Sequence, residues 1–215
     1  NSSVSPSKKA FEKGLYVINF GSNDVSSYLG SPSLQSTLPT DGFASLLTNI
    51  TGFLIKDLHK EGARKFLFNL IVPLQCSPRV KNLFGWTKSE CVPQVTILVS
   101  IINVKLTEMI RYLRKTLPNT RILLANSEAF VKLVKNPRKF GFTQGETACC
   151  GGGQFNGAIL CGLPNTTVCA KPDQYVFWDQ LHATERAYKF VSERIWRGTI
   201  SNISPFNIQT LAKLP

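Results

Sequence analysis

The sequence predicts an α/β fold in which parallel strands alternate with helices. Three short apolar runs read as strands, and each is followed by a segment whose apolar residues recur every three or four positions. This order predicts parallel strands joined by right-handed crossovers. No internal repeat or linker interrupts residues 1–215, so we expect one domain.

The first strand and its helix are predicted near the start of the chain. The segment "GLYVINFGSND" is an apolar run that ends in a Gly-Ser-Asn-Asp turn, and residues 30–40 read as loop. A helix is expected from Asp41, which can act as its N-cap, to a stop at Gly62. Seven apolar residues fall on one face of this helix: Phe43, Leu46, Leu47, Ile50, Phe53, Leu54 and Leu58.

The remaining elements follow the same alternation. "KFLFNLIVPL" predicts the second strand, and the following helix "VTILVSIINVKLTEMIRYLRKTL" ends before Pro118. "RILLAN" predicts the third strand, with Ser127 as N-cap of the next helix. A loop rich in Cys and Gly, roughly 141–172, leads to a last helix, "ATERAYKFVSERIW", which Gly198 ends.

The composition excludes several classes of protein. With 43% hydrophobic residues the chain can build a core and is not disordered, and no apolar run is expected to span a bilayer. The net charge of +12 could attract acidic surfaces, but evenly spread surface charge explains it better. The basic clusters are short and accompany no nucleic-acid motif, so we expect no nucleic-acid partner.

The cysteines and glycosylation sequons predict a secreted protein. Cys76 and Cys91 form one local pair, and we expect two further bonds among four clustered cysteines: Cys149, Cys150, Cys161 and Cys169. Zinc is disfavoured because the spacing lacks a zinc-binding pattern, and we expect neither a metal nor an organic cofactor. N-glycosylation is predicted at the Asn-X-Ser/Thr positions Asn1, Asn49, Asn165 and Asn202.

The stretch "YVFWDQLHATERAYKF" places Asp179 three residues before His182, directly in front of a predicted helix. At this spacing the carboxylate can orient one imidazole nitrogen and leave the other free as a general base. An N-cap aspartate beside a surface histidine explains the same residues equally well. The second histidine, His59, is predicted near a helix C-terminus, where a cation is favourable.

Two further motifs have both a chemical and a structural interpretation. Asn23 follows the first strand, where its amide could donate to an oxyanion, or could simply form a turn with Asp24. The run "CCGGGQFNG" lacks the Gly-Lys-Ser/Thr of a phosphate-binding loop. A disulfide-bonded loop explains it better than a thiol nucleophile at Cys149 or Cys150.

Taken together, these segments resemble the plant GDSL-type esterases/lipases, the SGNH hydrolases. "YVINFGSND" is similar to the third block of that family, "KFLFNLIVPLQCSP" to the strand that follows, and "YVFWDQLHATERAY" to its final Asp-x-x-His block. The cysteine loop also matches, and "SPFNIQTL" resembles the tail of secreted, defence-associated members. The motifs keep the family's order along essentially the whole chain.

The resemblance implies a three-layer α/β/α sandwich around a five-stranded parallel sheet, and an ester substrate. It implies that His182 is the general base and then the acid, that Asp179 orients it, and that Asn23 donates to the oxyanion. The family's Gly-Asp-Ser block, which carries the nucleophile, and its oxyanion glycine block have no counterpart here. Residue 183 is Ala where the family commonly has Pro. The chain is therefore expected to lack the family's first strands.

The absent block leads to two hypotheses. In the first, the chain is part of a secreted esterase, apoplastic or vacuolar, whose serine lies on a companion N-terminal segment or chain. That segment would also cover the first strand, which otherwise forms a bare sheet edge. In the second, the chain is a non-catalytic binding or defence protein on a truncated esterase scaffold.

Overall fold

The computed structural model describes residues 8–214, so the sequon at Asn1 lies outside the described residues. The larger strands are β1 (Leu15–Asn19), β2 (Lys65–Asn69) and β3 (Arg121–Ala125), and short strands are β4 (Cys150–Gly151), β5 (Thr167–Val168) and β6 (Ile203–Ser204). The helices are α1 (Lys8–Lys13), α2 (Ser22–Leu29), α3 (Pro32–Thr37), α4 (Thr40–Lys60), α5 (Pro78–Leu83), α6 (Pro93–Thr116), α7 (Glu128–Lys135), α8 (Glu185–Arg197) and α9 (Ile208–Leu211).

The main sheet has the strand order β1-β2-β3-β6. Strands β1, β2 and β3 are parallel and in register, so Asn19, Asn69 and Ala125 end side by side. The short β6 pairs antiparallel with β3. The predicted α/β fold with a mostly parallel sheet is confirmed. Within residues 8–214 the sheet has four strands rather than five, and the fourth is antiparallel.

Helices α4 and α6 cover one face of this sheet. Alternate strand residues, among them Phe66, Phe68 and Ile122, point into this layer and are almost fully buried. The alternation follows from the two-residue period of a strand, which sends successive side chains to opposite faces. The buried residues of both helices recur at helical spacing. For α4 the predicted face was wrong: of its seven residues only Phe43 and Leu47 are buried, whereas Leu46, Ile50, Phe53 and Leu54 are exposed.

The C-terminal part of the chain covers the opposite face. Leu67 and Leu123 pack there with Ile203 and Leu211, and Ile195 of α8 borders the cluster. The guanidinium of Arg114 in α6 links β6 to β3, because it donates hydrogen bonds to the carbonyls of Ile122 in β3 (2.9 Å) and Ser204 in β6 (2.7 Å). The tail therefore completes the third layer of the sandwich.

Several local predictions at the start of the chain were wrong. The Gly-Ser-Asn-Asp segment is not a free turn, because α2 begins at Ser22 directly after Gly21. The predicted loop 30–40 contains α3, whose N-cap Ser31 accepts a hydrogen bond from the Leu34 N–H. Short polar helices of this kind lack the long apolar period on which the prediction depended.

One predicted cap was wrong, and a second was right in position but not in its hydrogen bond. The N-cap position of α4 is Pro39, so Asp41 lies inside the first turn. Ser127 occupies the N-cap position of α7 but makes no capping hydrogen bond, and the Asn126 side chain accepts the Glu128 N–H instead. Polar residues that are adjacent in sequence compete for one capping role, and the backbone path decides between them.

The β1 side of the molecule exposes much apolar surface. Leu15 and Val17 of β1 are 38% and 60% exposed, and β1 has no neighbour on its outer edge within residues 8–214. Three of the seven apolar α4 residues form an exposed row at four-residue spacing, which we call the α4 flank: Leu46, Ile50 and Leu54. Asn49, Gly52 and Lys56 of α4 line a groove with α6.

Helix α6 is long and apolar enough to cross a membrane by length and composition, contrary to the expectation from sequence. In the structure one face of it, from Val95 to Leu113, is buried against the sheet and α4. The core helix of a globular domain passes the same test, so this is weak evidence for a membrane span.

Three disulfide bonds join the cysteines as Cys76–Cys91, Cys149–Cys169 and Cys150–Cys161. The last two fold the Cys- and Gly-rich loop back on itself, and β4 and β5 pair between them. All six cysteines lie in the described part of the chain and none is free, which excludes a thiol nucleophile in this state.

Candidate active site

A cavity of about 200 Å³ lies at the carboxyl edge of the sheet. Asn19, Asn69 and Ala125, the last residues of β1, β2 and β3, border it. Leu181 and Ala183, the neighbours of His182, also border it. Open α/β sheets bind their ligands at this edge, where side chains from several loops meet.

Asp179 and His182 are in direct contact beside this cavity. The Asp179 carboxylate lies 2.9 Å from His182 Nδ1 through Oδ2 and 3.0 Å through Oδ1. The same Oδ1 accepts the backbone N–H groups of Leu181 (2.9 Å) and His182 (2.7 Å). Within residues 8–214 no hydrogen bond engages Nε2, and the imidazole side chain is 69% exposed. The pair thus presents one oriented, accessible ring nitrogen.

These contacts also determine the charge of Asp179. Burial would by itself raise the pKa of the carboxyl, but the backbone N–H groups of His182 and Leu181 and the His182 imidazole outweigh it. Together they lower the pKa of Asp179 from its ordinary value. The carboxylate is therefore ionised at neutral pH and can stabilise an imidazolium at His182.

Backbone hydrogen bonds from distant segments hold the loop that carries the pair. The Cys149 and Cys150 N–H groups donate to the carbonyls of Phe177 (3.0 Å) and Trp178 (2.7 Å), and the Arg79 N–H of α5 donates to the Gln180 carbonyl (3.0 Å). The disulfide-bonded loop therefore supports the Asp-His pair directly. The sequence analysis missed this role, because no local pattern shows which backbone the adjacent cysteines contact.

Thr184 ends the loop and begins α8. Its side chain accepts the Ala187 N–H as N-cap and donates to the Tyr175 carbonyl. Asp179 is therefore not the helix N-cap, and that interpretation of the motif was wrong. A Thr immediately before the helical run was a usable signal for this cap. At Ala183, where the family commonly has Pro, the N–H donates to the Tyr188 hydroxyl at 3.4 Å.

Asn23 lies in the first turn of α2, close to the carboxyl end of β1, and is exposed. Gly21 allows this turn: its φ is 104°, and an added Cβ would lie 3.1 Å from Leu47 Cδ2 and 3.2 Å from Ile71 Cδ1. Within residues 8–214 the Asn23 side chain makes no hydrogen bond, including none to Asp179 or His182. The structure therefore brings together two of the three predicted site residues and leaves Asn23 separate at the same edge.

This arrangement can transfer protons but contains no paired nucleophile. An oriented imidazole next to an ionised carboxylate can remove a proton from a hydroxyl and return it to a leaving group. Among residues 8–214 no group of three His, Cys, Asp or Glu side chains could hold a metal ion. The chemistry that fits the pair is therefore general acid–base catalysis.

Comparison with known proteins identifies the family to which this chain is similar. Residues 2–195 match the family model described as GDSL-like lipase/acylhydrolase. Three similar proteins of Arabidopsis thaliana are GDSL esterase/lipase 4 (30% identical over 96% of this chain), GDSL esterase/lipase 5 (32% over 97%) and GDSL esterase/lipase 7 (34% over 96%).

The chain spans a little over half the length of these relatives: 57%, 56% and 58% of the three proteins. The family match, by contrast, covers most of the chain and includes both the β1 turn and the Asp-His loop. The chain therefore belongs to the GDSL-like lipase/acylhydrolase family.

Proposed function

We propose that this chain supplies the histidine and the aspartate of a Ser-His-Asp ester hydrolase. His182 Nε2 removes the proton of a serine as that serine attacks the ester carbonyl, and then returns it to the leaving alcohol. Asp179 orients the imidazole and stabilises its charged form, and Asn23 donates to the oxyanion. In the second half of the reaction His182 removes a proton from water as that water attacks the acyl-enzyme, and then returns the proton to the serine, which releases the carboxylic acid. No metal or organic cofactor takes part in these steps.

One observation carries the proposal, the geometry of Asp179 and His182. A carboxylate held by two backbone N–H groups and 2.9 Å from Nδ1 leaves Nε2 exposed, as a general base requires. A surface histidine with no chemical role would not need its ring orientation fixed in this way. The position of Asn23 at the carboxyl edge of the same sheet supports its role in the proposal.

The serine of this proposal comes from a companion segment that corresponds to the part of the relatives not covered here. Its binding surface combines the free edge of β1, the exposed Leu15 and Val17, and the α4 flank. A strand added to β1 would end beside Asn19, at the edge where His182 lies. Its apolar side chains would cover Leu15 and Val17, and a helix beside it would cover the α4 flank.

Secretion and glycosylation form part of the same proposal. The three disulfides fit an oxidising compartment. Asn49 and Asn165 are exposed, and Asn202 is half-exposed. Asn49 borders the groove between α4 and α6.

Labelling and mass analysis of the native protein test the proposal. The protein is treated with a serine-directed fluorophosphonate, and its intact mass is measured under denaturing conditions before and after reduction. We expect the label on a serine of a companion peptide, or of a longer chain that contains these residues. Labelling should require a folded site and be lost in a His182→Ala variant.

The opposite result would assign a different function. A single unlabelled species that contains only these residues and glycans would contradict the esterase proposal. The chain would then be a binding or defence protein on an esterase scaffold, and ligand binding would replace turnover as its assay.

A further inference from the structure

We propose that the amino edge of the main sheet carries an anion-binding site that takes a phosphate group. This edge lies at the other end of the strands from Asp179 and His182, because β1, β2 and β3 are parallel. The site is therefore independent of the proposed ester hydrolysis. It gives a role to the basic charge of the chain, which that reaction does not use.

Four cationic side chains line one open cavity at this edge: Arg64, Lys65, Arg114 and Arg121. Lys65 and Arg121 are the first residues of β2 and β3 and are register partners in the parallel pair. Their side chains therefore leave the same face of the sheet next to each other. Like charges on neighbouring strands repel, so this pairing costs stability unless an anion offsets it.

Backbone carbonyls fix two of the guanidinium groups. Arg64 Nη1 donates to the carbonyls of His59 and Ala63, each at 2.8 Å. Arg114 donates through Nε and Nη2 to carbonyls of β3 and β6, as described above. A guanidinium carries five N–H groups, so both side chains keep further donors for a ligand. Because these groups are already fixed, binding costs them little conformational entropy.

The described residues leave this positive charge largely uncompensated. Within residues 8–214 none of the four cations forms a salt bridge with a carboxylate, and Glu12 is the only acidic residue that borders the cavity. Burial, and then the neighbouring charge of Arg111, lowers the pKa of Arg114 from its ordinary value. The charged form of Arg114 is thus destabilised in this place, and a bound anion would stabilise it.

A phosphate group fits these cations better than a single carboxylate does. At neutral pH it carries about two negative charges and three acceptor oxygens, so several cations can bind it at once. Arginine binds phosphate oxygens through pairs of N–H groups in its planar fork. The phosphate belongs either to a small soluble ester or to the headgroup of a lipid, and both present the same chemistry to the site.

Calorimetric titration of the 215-residue chain with inorganic phosphate tests the inference. Acetate at the same ionic strength is the control for charge screening. We expect phosphate to bind at least about tenfold more tightly than acetate, because it contacts several cations at once. Equal affinity for the two anions, or binding of neither, would overturn the site.

A matched pair of variants locates the site. Arg121 is exposed and its side chain makes no hydrogen bond within residues 8–214, so Arg121→Gln should fold normally. We expect this variant to bind phosphate about tenfold more weakly. Arg138→Gln removes the same charge from an exposed residue that does not border the cavity, and should leave the affinity unchanged. Equal losses in the two variants would indicate general attraction to a basic protein and would overturn the inference.

Vesicle cosedimentation distinguishes the two sources of the phosphate. Phosphatidylcholine vesicles that contain about one-fifth phosphatidic acid are compared with vesicles of phosphatidylcholine alone. Binding to the acidic vesicles that Arg121→Gln weakens and Arg138→Gln does not would assign the site to a lipid headgroup. Calorimetric binding of phosphate without vesicle binding would assign it to a soluble phosphate ester. Both results support the site, whether or not a serine of the native protein is labelled.

Discussion

At the residue scale, the carboxylate of Asp179 both holds the conformation of the loop backbone and orients the imidazole of His182. Asp179 accepts the N–H groups of Leu181 and His182, which shape the loop, and the Nδ1 of His182, which orients the ring. Any change at Asp179 therefore alters the loop conformation as well as the imidazole. His59, the other histidine, contacts the Pro118 carbonyl and provides a comparison without an aspartate partner.

Replacement of His182 should abolish turnover selectively. In the protein that carries the serine, we expect His182→Ala to lower kcat by at least about a thousandfold, because the serine loses its general base. His59→Ala removes the other histidine and should leave kcat unchanged. Ester hydrolysis under single-turnover conditions measures both variants, and equal rates would exclude His182 from catalysis.

Acidification should remove the stabilisation that Asp179 provides. Because its folded-state pKa is lower than its unfolded value, the ionised carboxylate stabilises the fold above the ordinary carboxyl pKa of about 3.9. This contribution is lost as the pH falls through the folded-state pKa. Urea unfolding of the wild type and of Asp179→Asn should differ most at neutral pH and converge below about pH 4. If the difference in unfolding free energy between the two proteins were the same at every pH, the Asp179 carboxylate would not be the group that stabilises the fold.

At the element scale, backbone hydrogen bonds from the disulfide-bonded loop hold the Asp-His loop in place. The Cys150 N–H donates to the Trp178 carbonyl, and the Trp178 N–H in turn donates to the His182 carbonyl, each at no more than 2.8 Å. Cys150 is bonded to Cys161, so this disulfide fixes the position of the strand-like segment that the Asp-His loop contacts. The conformation of the Asp-His loop thus depends on the disulfide-bonded loop, which contributes no catalytic side chain.

Removal of this disulfide should loosen the site. We expect the Cys150→Ser, Cys161→Ser double variant to lose about 2–4 kcal/mol of unfolding free energy. Hydrogen exchange should accelerate at the Leu181 and His182 amides. Leu113→Ala, in the buried face of α6, should cost about as much stability without this local effect. Unchanged exchange at both amides would show that the disulfide does not support the loop.

At the scale of the whole molecule, the two ends of the sheet differ. β6 and the tail extend the sheet beside β3, whereas among residues 8–214 no strand pairs with the outer edge of β1, and Leu15 and Val17 are exposed. An apolar free edge tends to pair with another strand, either from the companion segment or from a second copy. The β1 side is therefore expected to associate with other strands.

A charge on this edge should suppress pairing. We expect Val17→Lys to reduce self-association of the isolated chain and to weaken binding of the companion segment. Ile200→Lys places the same charge at a more exposed position away from the sheet and should have neither effect. Sedimentation velocity measures the association, and identical behaviour of the two variants would exclude the β1 edge as the contact.

Much of the fold follows from the sequence because the relevant physics is local. Short continuous apolar runs predicted β1, β2 and β3, and apolar residues that recur every three or four positions predicted α4 and α6. The Asp-x-x-His spacing predicted the contact of Asp179 with His182, since three residues suffice to form that turn. The sequence thus determined the alternation of β1, β2 and β3 with the helices α4, α6 and α7, the family and the Asp-His pair by itself.

The tertiary structure alone decided which backbone supports the Asp-His loop, where the cavity at the carboxyl edge lies and which side of the molecule is bare. Cys150 meets Trp178, and Ser204 pairs with Leu124, across long stretches of chain whose approach no local period encodes. The apolar stripe of α4 illustrates the limit: helical spacing places Leu47 and Leu54 on one face, yet Leu47 is 3% exposed and Leu54 is 41% exposed. Burial depends on which segments of the chain meet in space, and that is a property of the whole fold.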